Sequence, residues 1–103
     1  MTAQLPDLDP VIHAQARLRV MVTLSKLADG DHLAFPSLKD VLGMTAGNLS
    51  VHLTKLEEAG YVEIEKTHKG RTPVTYVCLS RRGRLAFEEY NAALRALLDT
   101  GKD

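Results

Sequence analysis

The stretch TAGNLSVHLTKLEEAGYV, residues 45–62, decides how this chain folds. Its three leucines are spaced four and three residues apart, and they are Leu49, Leu53 and Leu56. That spacing predicts a helix with one apolar face. Thr45 can cap the helix with its hydroxyl, and Gly60 ends the pattern. We therefore expect a helix over residues 45–59, whose first turn carries only small or polar side chains and no charge.

Two further helices are predicted upstream of this stretch. Ser37 to Asp40 has the shape of a capping box and predicts a helix over residues 37–43 that ends at Gly43. Two helices joined by so tight a turn must cross, which is the helix-turn-helix arrangement. The residues just before it, His32 to Phe35, could form a short extended stretch ended by Pro36.

The earliest helix is predicted over residues 10–28, where apolar side chains recur at three- and four-residue spacing. Asp9 is a plausible cap, with Pro10 at the first helical position. Asp29-Gly30-Asp31 is expected to end this helix.

Downstream of Gly60 the apolar period changes from helical to two, which predicts a β-hairpin over residues 61–79. A long loop over residues 67–73 is expected to join the strands, with Pro73 at its edge. Ser80 then caps a last helix over residues 81–99, in which Gly83 is an awkward residue for the first turn. Four side chains of this helix repeat at a/d-like spacing, namely Phe87, Tyr90, Leu94 and Leu97.

The order of elements defines the expected fold class. It is mainly α with a small β-hairpin (α+β), in the order α-α-α-β-β-α with a possible short strand before the second helix. This is a winged helix-turn-helix, and the 103 residues are expected to form one domain, 1–103. A thin core of this size makes a partner subunit a plausible source of further buried surface.

Charge is distributed unevenly although the formal net charge is zero. Residues 66–87 hold six basic groups and no acidic group, and these are Lys66, Lys69, Arg71, Arg81, Arg82 and Arg84. Local potential governs the binding of polyanions, so this block is a candidate footprint for nucleic acid. A solvated basic face without a partner is the alternative.

No set of residues suggests catalysis or a bound metal. The four histidines lack the i, i+4 pairing of a zinc-binding helix, and His52 reads as a packing residue beside the leucines. No phosphate-binding glycine loop is present, so we expect no enzyme activity and no cofactor. The single cysteine, Cys78, is either a small strand hydrophobe or a redox-sensitive thiol whose pKa nearby arginines could lower.

The start of the chain shows no signal peptide, and no apolar run approaches the roughly 18 residues of a membrane span. Together with the lone cysteine, this favours a cytoplasmic protein without a membrane partner.

An uncharged helix tip suits insertion into the major groove of DNA, because small side chains let the backbone approach the bases. Asn48 can bond adenine, Ser50 can reach a base or a phosphate, and Lys55 would meet the backbone. The basic hairpin would then supply charge from outside the groove. The expected DNA contacts are Thr45, Ala46, Gly47, Asn48, Ser50, Val51, Thr54, Lys55, Lys66, His68, Lys69, Arg71 and Thr72. A helix tip that faces another protein remains the alternative.

Three segments together resemble the small winged-helix transcriptional regulators related to the MarR and ArsR families of bacteria and archaea. They are GNLSVHLTKLEEAGYVE (47–63), KGRTPVTYVCLSRRGRLAF (69–87) and DPVIHAQARLRVMVTLSKL (9–27), and the resemblance covers roughly residues 9–98.

The resemblance implies a recognition helix at 45–59, a DNA-touching wing at 66–73 with Arg71 as the wing arginine, and dimers formed through the terminal helices. The interface would include Leu24, Phe87, Tyr90, Leu94 and Leu97. Ala46 stands where many relatives have an acidic residue, and Cys78 where a serine is usual. The cysteine pairs and His/Asp clusters of metal-sensing relatives are not found.

The expected function is that of a homodimeric regulator that binds double-stranded DNA at specific sequences, as a repressor that covers a promoter. The alternative is a winged-helix interaction module that does not itself bind DNA. Neither the operator nor an effector can be read from the sequence.

Overall fold

The computed structural model describes residues 6–99, in which four helices pack against a small three-stranded sheet. The elements are α1 (Gln15–Ser25), β1 (Leu33–Ala34), α2 (Phe35–Leu42), α3 (Ala46–Glu58), β2 (Val62–Lys69), β3 (Thr72–Leu79) and α4 (Arg81–Leu98). The sheet is antiparallel with the strand order β1-β3-β2. The expected α+β winged-helix class is confirmed. The ends of the predicted domain, residues 1–5 and 100–103, lie outside the described residues.

The first helix is shorter than the predicted range of 10–28. The Asp9 carboxylate accepts hydrogen bonds from the backbone N–H groups of Val11 and Ile12, at 2.8 and 3.4 Å, and so caps a separate turn. Ala14 is extended, so α1 begins only at Gln15. At the other end, the backbone bond from Lys26 to the Thr23 carbonyl tightens the last turn, and the helix stops at Ser25.

The second helix starts two residues before its predicted boundary because Pro36 lies inside its first turn, where proline is tolerated. Ala34 is the N-cap and makes no side-chain bond, so the capping box expected from Ser37 is wrong. Gly43 ends α2 with a φ of 65°. The short extended stretch exists as β1, which pairs with β3 through Leu33 and Ala34.

The hairpin loop is much tighter than expected. Lys69 pairs with Thr72, so only Gly70 and Arg71 form the turn, and the loop predicted over residues 67–73 is wrong. Gly70 has a φ of 66° at the first central position, as a type II′ turn requires. Pro73 lies within β3, opposite His68.

The core fills the space between the helices and one face of the sheet. Its largest fully buried side chains are Ile12, Val20, Met21, Leu24, Leu38, Leu49, Leu56 and Val77. α3 therefore buries its leucine face and leaves its opposite face to solvent. Within residues 6–99 no helix has the length and apolarity that crossing a bilayer would need.

Candidate nucleic-acid interface

The exposed face of α3 begins at its capped first turn. The Thr45 hydroxyl accepts a hydrogen bond from the Asn48 backbone N–H at 3.1 Å, which orients the turn. All eight predicted contact residues of the helix are exposed: Thr45, Ala46, Gly47, Asn48, Ser50, Val51, Thr54 and Lys55. Val51 is an apolar side chain that is 55% exposed. Lys55 is the one charged side chain among these eight residues.

Gly47 leaves the backbone at the tip of α3 without a covering side chain. A Cβ built at Gly47 would meet no heavy atom within 4 Å, so nothing in the fold requires glycine there. The helical backbone is consequently uncovered at this point, and a ligand could approach it closely.

The hairpin carries the second half of the candidate surface. Its five predicted contact residues are all exposed: Lys66, His68, Lys69, Arg71 and Thr72. Arg71 lies in the two-residue turn and therefore at the extreme tip of the wing. The tight turn holds Lys69 and Arg71 within two residues of each other, which concentrates positive charge at that tip.

A groove of about 620 Å³ runs between α3 and the hairpin and joins these two regions. Its apolar side is Phe35, Leu53 and Ile64, and its polar side is Ser50, Thr54, Glu57, Lys66 and Thr75. The Thr54 hydroxyl donates a hydrogen bond to the Ser50 carbonyl at 2.9 Å, which directs the hydroxyl back towards the preceding turn of the helix. Helix and wing thus form one continuous surface.

Sequence reasoning missed Thr75, Glu57 and Phe35 as parts of this surface. Thr75 lies opposite Lys66 in the register of the hairpin. A two-residue turn at Gly70-Arg71 would have predicted that pairing, so the error in the loop length hid it. Glu57 places a negative charge at the far end of the groove, away from the capped tip of α3.

The block of six basic residues splits into two groups in the structure. β3 has eight residues, so at about 3.3 Å per residue it separates Arg71 from the start of α4 by roughly 25 Å. Arg84 is held by Asp29 at 3.2 Å and by the Leu27 carbonyl at 3.3 Å. Arg82 lies over the Tyr61 ring, 6.0 Å from its centroid. The structure therefore divides the block into a wing group and an α4 group, and within the α4 group Arg82 and Arg84 contact other parts of the fold.

The environment of Cys78 opposes an activated thiolate. Burial raises the pKa of the Cys78 thiol, and the nearby Glu63 carboxylate raises it further, both directly and through a contact of 3.8 Å from Sγ to Oε1. Arg84 acts in the opposite direction but more weakly. The lowering of the pKa that nearby arginines were expected to cause is therefore outweighed, and the interpretation of Cys78 as a small strand hydrophobe is favoured.

The histidines are dispersed over the fold. His13 Nδ1 lies 2.9 Å from the Tyr90 hydroxyl, and the His32 ring packs 4.0 Å from that of Tyr76. His52 is half-buried beside the leucines, and its Nδ1 has no hydrogen-bond partner. Among residues 6–99, no three side chains of metal-binding type come together.

Two of the predicted interface residues are buried within their own chain. Leu24 is fully buried and Tyr90 is 3% exposed, so their assignment to a subunit interface is wrong. Val20 and Met21, on the same face of α1 as Leu24, are also fully buried. The apolar face of α1 therefore forms part of the core of this small domain and is not free to form a subunit interface.

The other interface residues lie on α4 and remain a prediction. Phe87 and Leu94 are half-buried against the core, and Leu97 is also half-buried. Beyond them, Leu98 is 70% exposed at the end of the helix. α4 therefore exposes apolar side chains near both of its ends, since Leu85, close to its start, is 55% exposed.

The family model for the winged helix DNA-binding domain matches residues 16–98. The chain belongs to this winged-helix DNA-binding family. The match extends from α1 to the end of α4 and includes both α3 and the wing. The resemblance to winged-helix regulators is thereby confirmed.

Two similar proteins match most of the chain. An uncharacterized protein of Methanocaldococcus jannaschii is 37% identical over 81 residues, which are 78% of this chain and 84% of that protein. The structure of a transcriptional regulator homologue from Pyrococcus horikoshii OT3 superposes with a TM-score of 0.79 at 27% identity, over 90% of this chain and 89% of that one.

A transcriptional regulator of the MarR family from Silicibacter pomeroyi has the same fold, with a TM-score of 0.64 at 24% identity. The similarity covers 90% of this winged-helix chain and 62% of the MarR protein.

Proposed function

We propose that this winged-helix protein is a homodimeric transcriptional regulator that binds an inverted repeat in double-stranded DNA and represses by covering a promoter. The observation that carries the proposal is the continuous surface made by the uncharged tip of α3, the groove and the basic wing. α3 would enter the major groove, while the wing would neutralise phosphates beside it. The proposed mechanism has no enzymatic step, and an effector is not part of the proposal.

The roles of the two regions differ. Asn48 lies at the tip of α3. The donor and the acceptor of its side-chain amide complement the acceptor and the donor that adenine presents in the major groove. Val51, Ala46 and the Thr45 methyl group offer apolar contact to a thymine methyl. Arg71 would neutralise a phosphate, which strengthens binding to any sequence, or enter a minor groove that A·T-rich DNA narrows.

A matched pair of arginine variants tests the position of the DNA. Arg71→Ala removes a charge at the wing tip, whereas Arg81→Ala removes a charge that is also exposed but lies just beyond the far end of β3. Each phosphate contact contributes about 0.9 to the slope of log affinity against log salt. We expect Arg71→Ala to weaken binding to all duplexes and to lower that slope by about one, and Arg81→Ala to change neither.

A second variant tests base reading. Asn48→Ala is expected to relax the preference at one or two base pairs, each worth roughly 1–3 kcal/mol. Fluorescence anisotropy on duplexes of mixed and selected sequence measures both effects. A chain that binds no duplex at low salt would contradict the proposal and favour a protein-interaction module.

The dimer is proposed to form mainly through α4. Because the apolar face of α1 is buried in its own core, the apolar side chains that α4 leaves exposed or half-buried are the better candidates for a two-fold interface. Two copies of α3 would then reach successive major grooves about 34 Å apart, so half-site centres should lie near 10 base pairs apart.

Charge substitutions test this interface. Leu98→Glu is expected to give monomers that bind a single half-site weakly, as measured by light scattering and footprinting. Val22→Glu places the same charge on the exposed side of α1, where Val22 is 36% exposed. A dimer that survives Leu98→Glu but not Val22→Glu would move the interface to α1.

A further inference from the structure

The end of α3 is held by a glycine motif that fixes the next residue, Tyr61. Gly60 has a φ of 81°, and its N–H donates to the Glu57 carbonyl at 2.9 Å. The Tyr61 N–H donates to the Leu56 carbonyl, also at 2.9 Å. This pair of bonds is the Schellman motif, which ends the helix at a left-handed glycine and hydrogen-bonds the two residues after the cap to carbonyl groups of the last turn. The Tyr61 backbone is therefore fixed against the last turn of α3.

The same residue meets the start of α4. The Tyr61 carbonyl accepts a hydrogen bond from the Ser80 N–H at 3.0 Å. The Ser80 hydroxyl donates to the Gly60 carbonyl at 2.5 Å and accepts from the Gly83 N–H at 2.9 Å. A single serine therefore bridges the last carbonyl groups after α3 and the first turn of α4.

Gly83 explains how close the two helices come. A Cβ at Gly83 would lie 1.9 Å from the Tyr61 carbonyl oxygen and 2.8 Å from the carbonyl carbon. Ordinary contact begins near 3.4 Å, so no side chain fits between α4 and the Tyr61 backbone. The contact joins backbone to backbone, and neither side can adjust by changing a rotamer.

The Tyr61 side chain is held as well. Its hydroxyl donates to Asp9 Oδ2 at 2.5 Å, and the Arg82 guanidinium lies above its ring. Asp9 is itself anchored by the turn that precedes α1. We define Gly60, Tyr61, Ser80 and Gly83 as the α3–α4 joint.

We propose that the α3–α4 joint is a positioning device: Tyr61 and Gly83 set the angle between the recognition helix and the C-terminal helix, and so determine which half-site spacing the dimer accepts. The inference rests on the proposed function, because it needs α3 to read DNA and α4 to form the dimer. Spacing depends on where each α3 is carried relative to the two-fold axis, and the joint is the direct backbone link between α3 and α4 on that path. Neither Tyr61 nor Gly83 needs to touch DNA for this role.

A contact that merely stabilised the fold would behave differently from a positioning joint. Loss of stability lowers the fraction of folded protein and weakens binding to every duplex by the same factor. A changed angle between α3 and α4 leaves each α3 able to read a half-site but moves the two copies out of phase with the grooves. The decisive quantity is therefore the ranking of spacings, measured apart from half-site affinity.

The experiment uses the full chain and duplexes that share one half-site sequence. One duplex carries a single half-site, and the others carry inverted repeats whose centre spacing differs by one base pair on either side of about 10. For Gly83→Ala we expect single half-site affinity within about twofold of the wild type, and a loss of about tenfold at the wild-type spacing relative to its neighbours. Circular dichroism checks that the variant is folded at the temperature used.

Variants of Ser80 keep the test valid if Gly83→Ala does not fold. Ser80→Ala removes both bridging hydrogen bonds without adding volume, and should broaden the range of accepted spacings. Ser80→Thr retains the hydroxyl and should restore the wild-type ranking. An unchanged ranking in Gly83→Ala, or in Ser80→Ala where the first is unfolded, overturns the inference.

The outcomes separate this inference from the proposed function. A wild-type chain that binds no duplex, or that shows no preference for spacing, overturns the proposed function and removes the basis of the joint. A wild type with a sharp preference that the variants leave unchanged overturns the joint alone. Equal losses on the single half-site and on every repeat also overturn the joint, since they show a stabilising role only.

Discussion

The first turns of α3 and α4 are built alike and used differently. Thr45 caps α3 through the Asn48 N–H at 3.1 Å, and Ser80 caps α4 through the Gly83 N–H at 2.9 Å. Each turn also contains a glycine, Gly47 in one and Gly83 in the other. Gly47 has open space around it, whereas Gly83 is pressed against the Tyr61 backbone. The same local sequence pattern therefore serves an exposed binding tip in one place and a buried helix junction in the other.

The largest effect is expected when the two glycines are replaced by alanine. Overpacking a tight contact costs roughly 1–3 kcal/mol, so Gly83→Ala should lower the free energy of unfolding by about that amount. In Gly47→Ala the gain in helix propensity is not opposed, and stability should rise by up to about 1 kcal/mol. Urea denaturation measures both. Equal effects of the two variants would show that the two turns do not differ in packing.

For affinity to a single DNA half-site, Gly47→Ala should have the larger effect and Gly83→Ala the smaller. Gly47→Ala adds a methyl group where α3 is proposed to approach the bases, and should weaken specific binding by about tenfold, near 1.4 kcal/mol. Gly83→Ala should leave single half-site affinity nearly unchanged. Anisotropy titration of one half-site duplex with both variants makes the measurement. Full affinity in Gly47→Ala would place the tip of α3 away from the DNA.

The two capping hydroxyls sharpen the comparison with a smaller effect. Thr45→Ala removes one cap and should cost about 1 kcal/mol. Ser80→Ala also leaves the Gly60 carbonyl without its donor, which should add about 1 kcal/mol. Thr45→Ser and Ser80→Thr are the matched controls, and thermal unfolding can follow all four. If the two alanine variants lose the same stability, Ser80 is only a cap and does not bridge the helices.

The smallest expected effect is a pH dependence of stability that arises at Tyr61, the residue against which the first turn of α4 packs. The hydrogen bond to Asp9, together with burial and the negative charge of Asp9, raises the pKa of Tyr61 from 10.0 to about 12. A folded-state pKa above the unfolded value favours the neutral phenol in the folded protein. Its contribution to stability is therefore complete below pH 10 and is lost as the pH rises to about 12.

Tyr61→Phe isolates this contribution from the other groups that titrate at high pH. The difference in urea midpoint between wild type and variant should shrink as the pH rises from 9 to 12. A parallel series with Thr45→Ser, which changes the α3 turn, should show no such trend. A constant difference for Tyr61→Phe would mean that Asp9 does not hold the hydroxyl in solution.

Sequence reasoning was most successful where a pattern is local. The leucine spacing and the Thr45 cap located α3 within one residue of each predicted end. The change of period after Gly60 located the hairpin, and Ser80 located the start of α4. Each of these elements depends on contacts between residues a few positions apart, so the local sequence is sufficient to predict it.

Prediction from the sequence failed where a residue had two possible partners. Asp9 and Pro10 have the pattern of a helix start, yet the Asp9 carboxylate also reaches the Tyr61 hydroxyl from a separate turn. Leu24 has the spacing of either a core or an interface residue, and burial assigned it to the core. The arginines of α4 are basic in sequence, but Arg84 and Arg82 are engaged by Asp29 and Tyr61.

The sequence by itself therefore determined the order of the elements, the apolar faces of the helices and the uncharged tip of α3, because helical and strand periods act over neighbouring residues. Tertiary structure alone decided that Gly83 is required by Tyr61, that only half of the basic block lies on the wing, and that α1 belongs to the core. These outcomes depend on residues far apart in the chain that meet only once the helices have packed, and steric fit at that point is not encoded in any local spacing.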